Sequence, residues 1–251
     1  MTRNKFAGQP CAYGCGRPSV GDDHVLARKF FVEDKRGNLP QVPACGECNG
    51  EKGALEGELM NVLAFAGRHA DATENLSRQV AHRLMNKANA RVARKLAAGR
   101  GRTWVKENGV LRQAMTVNVN WSKVELLCCF IARGLVWHYF DNLVLDAGCS
   151  VIAFSAIKGD ADLLRRFRTG KAARRARGDV GQGTFSYWGV QAEDNPIVTA
   201  WEFSILGVRT VDGGDEPHNI GVLTGPREIA HRGVQKRELL KRWRKGTRLH
   251  G

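Results

Sequence analysis

The chain has 251 residues and a mass of 27.7 kDa, room for one large domain or two small ones at roughly 100–200 residues each. With 43% hydrophobic and 25% charged residues, wholesale disorder is excluded. The 39 Lys+Arg against 25 Asp+Glu leave a net charge of +14 and a pI near 9.9, which points to a polyanionic partner, nucleic acid first.

No apolar stretch follows Met1–Lys5 as a signal peptide would require. The longest strongly apolar run, Leu126–Ala132, falls far short of the ~20 residues that span a bilayer. The expectation is a cytoplasmic protein with no membrane partner. In a reducing compartment disulfides are improbable, so the seven cysteines need another reason. Four form close pairs, Cys11/Cys15 and Cys45/Cys48, each beside glycine. Two such pairs can supply four thiolates to one tetrahedral zinc. A redox Cys-x-x-Cys would need a βαβ setting that is not visible here. Cys128, Cys129 and Cys149 sit among apolar residues and read as small buried groups.

A zinc with four thiolates is coordinatively closed, so chemistry would need other groups. Asp23, His24 and Asn49 are the candidates. A carboxylate and an amide oxygen are hard donors that suit Mg²⁺, and an imidazole that titrates near neutrality can take a proton from water.

Further along, a helix is expected over about Gly53–Ala66. A long basic helix should follow, with Leu76, Val80, Leu84, Ala88, Val92 and Leu96 recurring every four residues. Asp71 with Glu74 would cap its start, and Gly99 and Gly101 would end it. Val117, Val119 and Trp121 alternate as a strand does. Lys123–Phe140 is apolar nearly all round, as in a buried helix. Strands are expected over Ser150–Ile157, Thr184–Val190 and Ile197–Leu206, the last two joined by the turn at 193–196. A basic helix, about Arg227–Lys245, would close the chain. The excess charge lies in three segments: +8 over 61–114, +5 over 159–178 and +7 over 226–251. Arg165, Arg166 and Arg168, and Lys241, Arg242 and Arg244 around Trp243, are candidate phosphate contacts. The competing reading is a solvated helix face.

The N-terminal residues resemble the HNH endonuclease family. The match runs through Asp23-His24-Val25 with Arg28, Asn38-Leu39, Val42-Pro-Ala-Cys45 and Cys48-Asn49 with Lys52, over roughly residues 8–58. Charge and periodicity give 61–114 as a basic helical segment and 115–251 as a mixed α+β region, so an α+β chain divided in three is expected. The resemblance implies that residues 1–60 are a small zinc-stapled ββα-metal domain. It implies His24 as general base, Asp23 as the metal-binding carboxylate, and Asn38 as the residue that holds the hairpin loop and orients the histidine. Asn49 would take the third signature position, where many members have histidine. Cys11, Cys15, Cys45 and Cys48 would bind structural zinc, and Arg28 and Lys52 would face phosphate or solvent. The implied cofactors are Zn²⁺ and a catalytic Mg²⁺ or Mn²⁺, and the implied partner is double-stranded DNA. A first knuckle with three residues between its cysteines, and a longer stretch from Asn38 to Cys45, depart from the common pattern. A zinc-stapled nucleic-acid-binding module without catalysis is the alternative. Nothing in the sequence distinguishes monomer from homodimer.

Overall fold

The computed structural model describes residues 5–81, 85–86, 90–107, 109–155, 164, 167–208 and 218–226. The expected basic helix at 227–245, with Lys241, Arg242, Trp243 and Arg244, lies outside the described residues, as do Arg165 and Arg166. The fold is mixed α+β. Among the described residues, no helix is long and apolar enough to cross a membrane.

The chain opens with a loop carrying Cys11 and Cys15. Strand β1 (Gly21–His24) then pairs antiparallel with β2 (Gln41–Ala44), with His24 opposite Gln41 and Asp23 opposite Val42. The connection between them holds two short 3-10 turns, at Arg28–Phe30 and Glu33–Lys35. Helix α1 (Gly46–Ala66) follows directly. It starts seven residues before the expected Gly53. Its first two turns, rich in Gly, Glu and Asn, have no apolar stripe to reveal them. They are held instead by Cys45, the N-cap residue, whose sulfur accepts the Cys48 N–H at 3.4 Å.

Helix α2 (Ala70–Asn75) runs into a wider turn at Leu76–Val80, and α3 spans Ala90–Ala98. The expected Asp71–Glu74 cap is not the one used: His69 is the N-cap, and its Nδ1 accepts the Asp71 N–H at 3.2 Å. Asp71 is buried, in contact with Lys35 Nζ at 2.6 Å and with the Thr184 hydroxyl, which donates to its other oxygen. Burial alone would raise this carboxyl, but the hydrogen bonds from Lys35 and Thr184 outweigh it and hold it below its ordinary 3.8. The contribution to stability is therefore complete at neutral pH and fades as pH falls through that lowered value. Asp71→Ala leaves Lys35 unpaired and is expected to cost about 3 kcal/mol, read as a lowered urea midpoint at pH 7; an unchanged midpoint would contradict this.

Gly99 follows the helix as expected, but Gly101 lies within β3 (Arg100–Glu107), which pairs with β4 (Val110–Val117). Trp121, expected in a strand, is the first residue of α4 (Trp121–Tyr139), capped by the Asn120 side chain. Five strands, β5 (Cys149–Ser155), β6 (Arg174–Val180), β7 (Phe185–Gln191), β8 (Thr199–Ile205) and β9 (Ile220–Pro226), form an antiparallel sheet in the order β5-β9-β8-β7-β6. Arg174, Arg175 and Arg177, from the basic segment 159–178, thus lie on edge strand β6. Charged side chains there discourage edge-to-edge pairing.

The mostly apolar α4 lies between the two layers, touching α1 and β2 on one side and β5, β8 and β9 on the other. One contiguous cluster of buried side chains runs from Phe6, Tyr13, Val25 and Phe30 through Leu59 and Leu135 to Trp201, Phe203 and Val222. Gly134 lets α4 close on the residue after His24, since a Cβ there would lie 2.8 Å from a Val25 methyl. Gly14, at φ +73°, presses against Leu145, where a Cβ would sit 1.9 Å from the carbonyl oxygen. The catalytic candidates are therefore seated on the core through their neighbours.

Candidate metal centre and active site

The four paired cysteines converge. Their sulfurs all lie within 4.8 Å of one another, with Cys15 and Cys45 at 3.5 Å. A tetrahedron of sulfurs around zinc, with bonds of about 2.3 Å, has edges of about 3.8 Å, so the arrangement can hold a metal ion such as zinc. Two backbone amides point at sulfur: Cys45 N–H donates to Cys11 Sγ and Cys48 N–H to Cys45 Sγ, both at 3.4 Å. Burial pushes the Cys11 thiol up to about 11 and the Cys48 thiol up as well. Crowded thiols in this setting do not ionise together unless a cation supplies the opposing charge. All seven cysteines are free, and among the described residues this is the one group of three or more His, Cys, Asp or Glu side chains arranged to hold a metal.

Beside the clamp, β1 ends in Asp23 and His24. Strand alternation turns these neighbours to opposite sides. Asp23 faces α1. Its Oδ2 lies 3.0 Å from Lys52 Nζ and accepts the Tyr13 hydroxyl. Lys52 is 1% exposed and also reaches Glu56 at 2.5 Å and the His24 carbonyl at 2.7 Å. Burial outweighs Lys52 at Glu56 and raises its carboxyl. Burial, then the Asp23 charge, raise the Tyr13 phenol. Lys52 therefore does not point to solvent. It ties the helix to the backbone of His24 and to the side chain of Asp23.

His24 faces an open cleft of about 800 Å³ that Lys5, Arg36, Asn38, Gln41 and His138 also line. The Gln41 amide donates to Asp22 Oδ2 at 3.3 Å and lies 3.2 Å from His24 Nε2. Burial, followed by the nearby Arg28 charge, lowers the imidazole below its ordinary 6.5. The shift favours the neutral form of the ring, the form that can accept a proton. Asn38 is exposed in the loop with φ 56°, a left-handed conformation that asparagine tolerates. Asn49 is exposed in the first turn of α1.

The structure thus joins Asp23 to Lys52 and Lys52 to the His24 backbone, turns the Asp23 and His24 side chains to opposite sides of the strand, and places Asn38 on the rim of the cleft that His24 faces. It does not join Asn49 to either Asp23 or His24 by any hydrogen bond among the described residues. Arg28 is exposed and near enough to His24 to act on its charge. Arg168 stacks over Trp188 at 5.2 Å and pairs with Glu202, so it is already neutralised. Sequence reasoning does not reach Asp22, Gln41 or Tyr13. The period-two alternation of β1 is the signal for Asp22, which shares the His24 side; Gln41 needs the strand register.

Compared with family models, curated proteins and solved structures, the chain finds no match in any of the three.

Proposed function

We propose that the chain is a metal-dependent phosphodiester hydrolase of the HNH type acting on DNA, with a small zinc-stapled ββα-metal unit at its N-terminus. The observation that carries this reading is the His24 imidazole, held at the end of a short hairpin beside a four-cysteine clamp and opening onto a cleft edged by Lys5 and Arg36. In this reading zinc fills the clamp, held by the four thiolates of Cys11, Cys15, Cys45 and Cys48.

The donors offered to a second, hard cation fit Mg²⁺ or Mn²⁺ in kind. Asp23 has Oδ1 outside the Lys52 and Tyr13 contacts, and Asn49 exposes an amide oxygen. Such an ion, when bound, stabilises the charge that develops on phosphate and leaving oxygen. His24 takes a proton from the attacking water. Gln41, fixed by Asp22, sets the ring orientation, and Lys52 fixes the backbone beneath it. Asn38 shapes the rim, and Arg28, Lys5 and Arg36 draw the phosphate backbone towards the cleft.

With oxygen donors from both Asp23 and Asn49 at this second position and no imidazole, Mg²⁺ and Mn²⁺ are expected to support cleavage better than Ni²⁺. A metal titration of plasmid nicking checks this, and Ni²⁺ outperforming Mg²⁺ would count against it. A second reading, a zinc-stapled binding module without catalysis, is favoured by one observation: the Lys52 ammonium already sits on Asp23. It predicts salt-sensitive DNA binding and no cleavage with any divalent cation.

A further inference from the structure

The β3–β4 hairpin carries its large side chains on the wrong face for a protein core. Strand alternation and the register put Arg100, Arg102, Trp104, Leu111, Gln113, Met115 and Val117 on one side. All but Val117 are exposed, with Trp104 at 66%, Leu111 at 65% and Met115 at 62%. The other side is only partly covered, at Thr103, Ala114 and Thr116. A two-stranded ribbon is marginally stable alone, and this one rests on the body through contact of β4 with α1, the helix that begins at the cysteine clamp. Grouped apolar side chains left in water mark a docking surface.

Charge selects the occupant. Residues 100–117 hold four basic residues and one acidic one, within a segment of net +8. On this face the Arg102 side chain makes no hydrogen bond or ion pair among the described residues, and the Arg100 side chain has only the Ala97 carbonyl, at 3.4 Å; Arg112, equally without a side-chain partner, lies on the opposite side. A second copy of the chain would bring this positive face against itself, with like charges opposed. The major groove of B-DNA, about 12 Å wide, admits a two-stranded ribbon. Arginine and glutamine are the side chains that read guanine and adenine edges there, and apolar groups meet thymine methyls.

We propose that the β3–β4 ribbon enters the major groove of duplex DNA, with Arg100, Arg102 and Gln113 towards base edges and phosphates and Trp104, Leu111 and Met115 as its apolar contacts. The proposal rests on the reading of the chain as a DNA-acting protein. It assigns to the ribbon the positioning of the duplex beside the His24 cleft.

The test is fluorescence anisotropy of a labelled 20-base-pair duplex with full-length, zinc-loaded protein, Mg²⁺ omitted. Trp104→Ala and the double variant Arg100→Glu/Arg102→Glu are compared with wild type. Their side chains are exposed, so zinc content and thermal unfolding should be unchanged. Trp104→Ala should weaken binding about tenfold, and the double variant more. The slope of log K on log salt should flatten by about two for the double variant, one for each phosphate that the two arginines no longer neutralise. A major-groove ligand such as methyl green should compete and the minor-groove ligand netropsin should not. Variants that bind as wild type would overturn the proposal even if wild type cleaves DNA. Competition by netropsin alone would overturn the groove assignment. Sedimentation showing a wild-type dimer that Trp104→Ala dissociates, with DNA affinity unchanged, would assign the face to a second copy instead. Ribbon-dependent binding without any Mg²⁺-dependent cleavage would leave the ribbon standing and overturn the hydrolase reading.

Discussion

Cys48→Ser is expected to abolish stoichiometric zinc binding and to unfold the N-terminal third of the chain. The expectation follows from what the clamp holds. Residues 5–45 have two four-residue strands and two single-turn helices to order them, too little to bury a core of their own. Cys11, Cys45 and Cys48 are themselves buried within the main cluster, and the cap of α1 is the Cys45 sulfur. Losing the Cys48 thiolate removes one of four ligands from the clamp whose Cys11 and Cys45 sulfurs accept backbone amides and cap a 21-residue helix. Structural zinc in small fingers is worth ~10–16 kcal/mol, and the loss here should be on the order of 5 kcal/mol or more. Zinc released to a colorimetric chelator should fall from one per wild-type chain to near zero, with the near-ultraviolet circular dichroism of Tyr13 and its neighbours collapsing. A Cys48→Ser protein that unfolds at the wild-type temperature would show that the clamp does not hold this region together.

His24→Ala is expected to reduce the single-turnover cleavage rate by roughly 10²–10⁴-fold, the usual worth of a general base. Stability should change little, because the half-buried imidazole faces a cleft and not the core. Zinc content should stay at one per chain and duplex affinity should stay within about twofold, since the ribbon and the remaining cations are untouched. That combination separates a chemical role from a structural one. A variant that lost zinc or failed to bind DNA would point instead to His24 as part of the scaffold.

The cysteine pairs, the Asp23-His24 doublet and the buried α4 are legible in the sequence, because each is a short-range pattern with one physical meaning. Strands β5, β7 and β8 are legible for the same reason. The start of α1 is not, because its first turns depend on a sulfur cap and not on an apolar face. The β3–β4 hairpin escapes because its outward side chains break the rule that large apolar residues point inward. The Asn-Gly pair at 108–109, between two runs of strand formers, is the available signal. Strand β6 is masked by the arginines that crowd its first four positions, and β9 by its glycines. Gly221 gives room to Phe154, whose ring would lie 2.4 Å from a Cβ there. At the site, the doublet marks the candidate residues but not their partners. The tie from Lys52 to Asp23 and the His24 carbonyl spans 28 residues of sequence, and only folding reveals it.

The most direct measurement is the fate of supercoiled plasmid incubated with the zinc-loaded protein and Mg²⁺. Wild type should convert it to nicked or linear product, and His24→Ala, matched for zinc and for DNA binding, should leave it supercoiled over the same hours. Equal conversion by the two proteins, or none by wild type with any divalent cation, would contradict a hydrolytic site at His24.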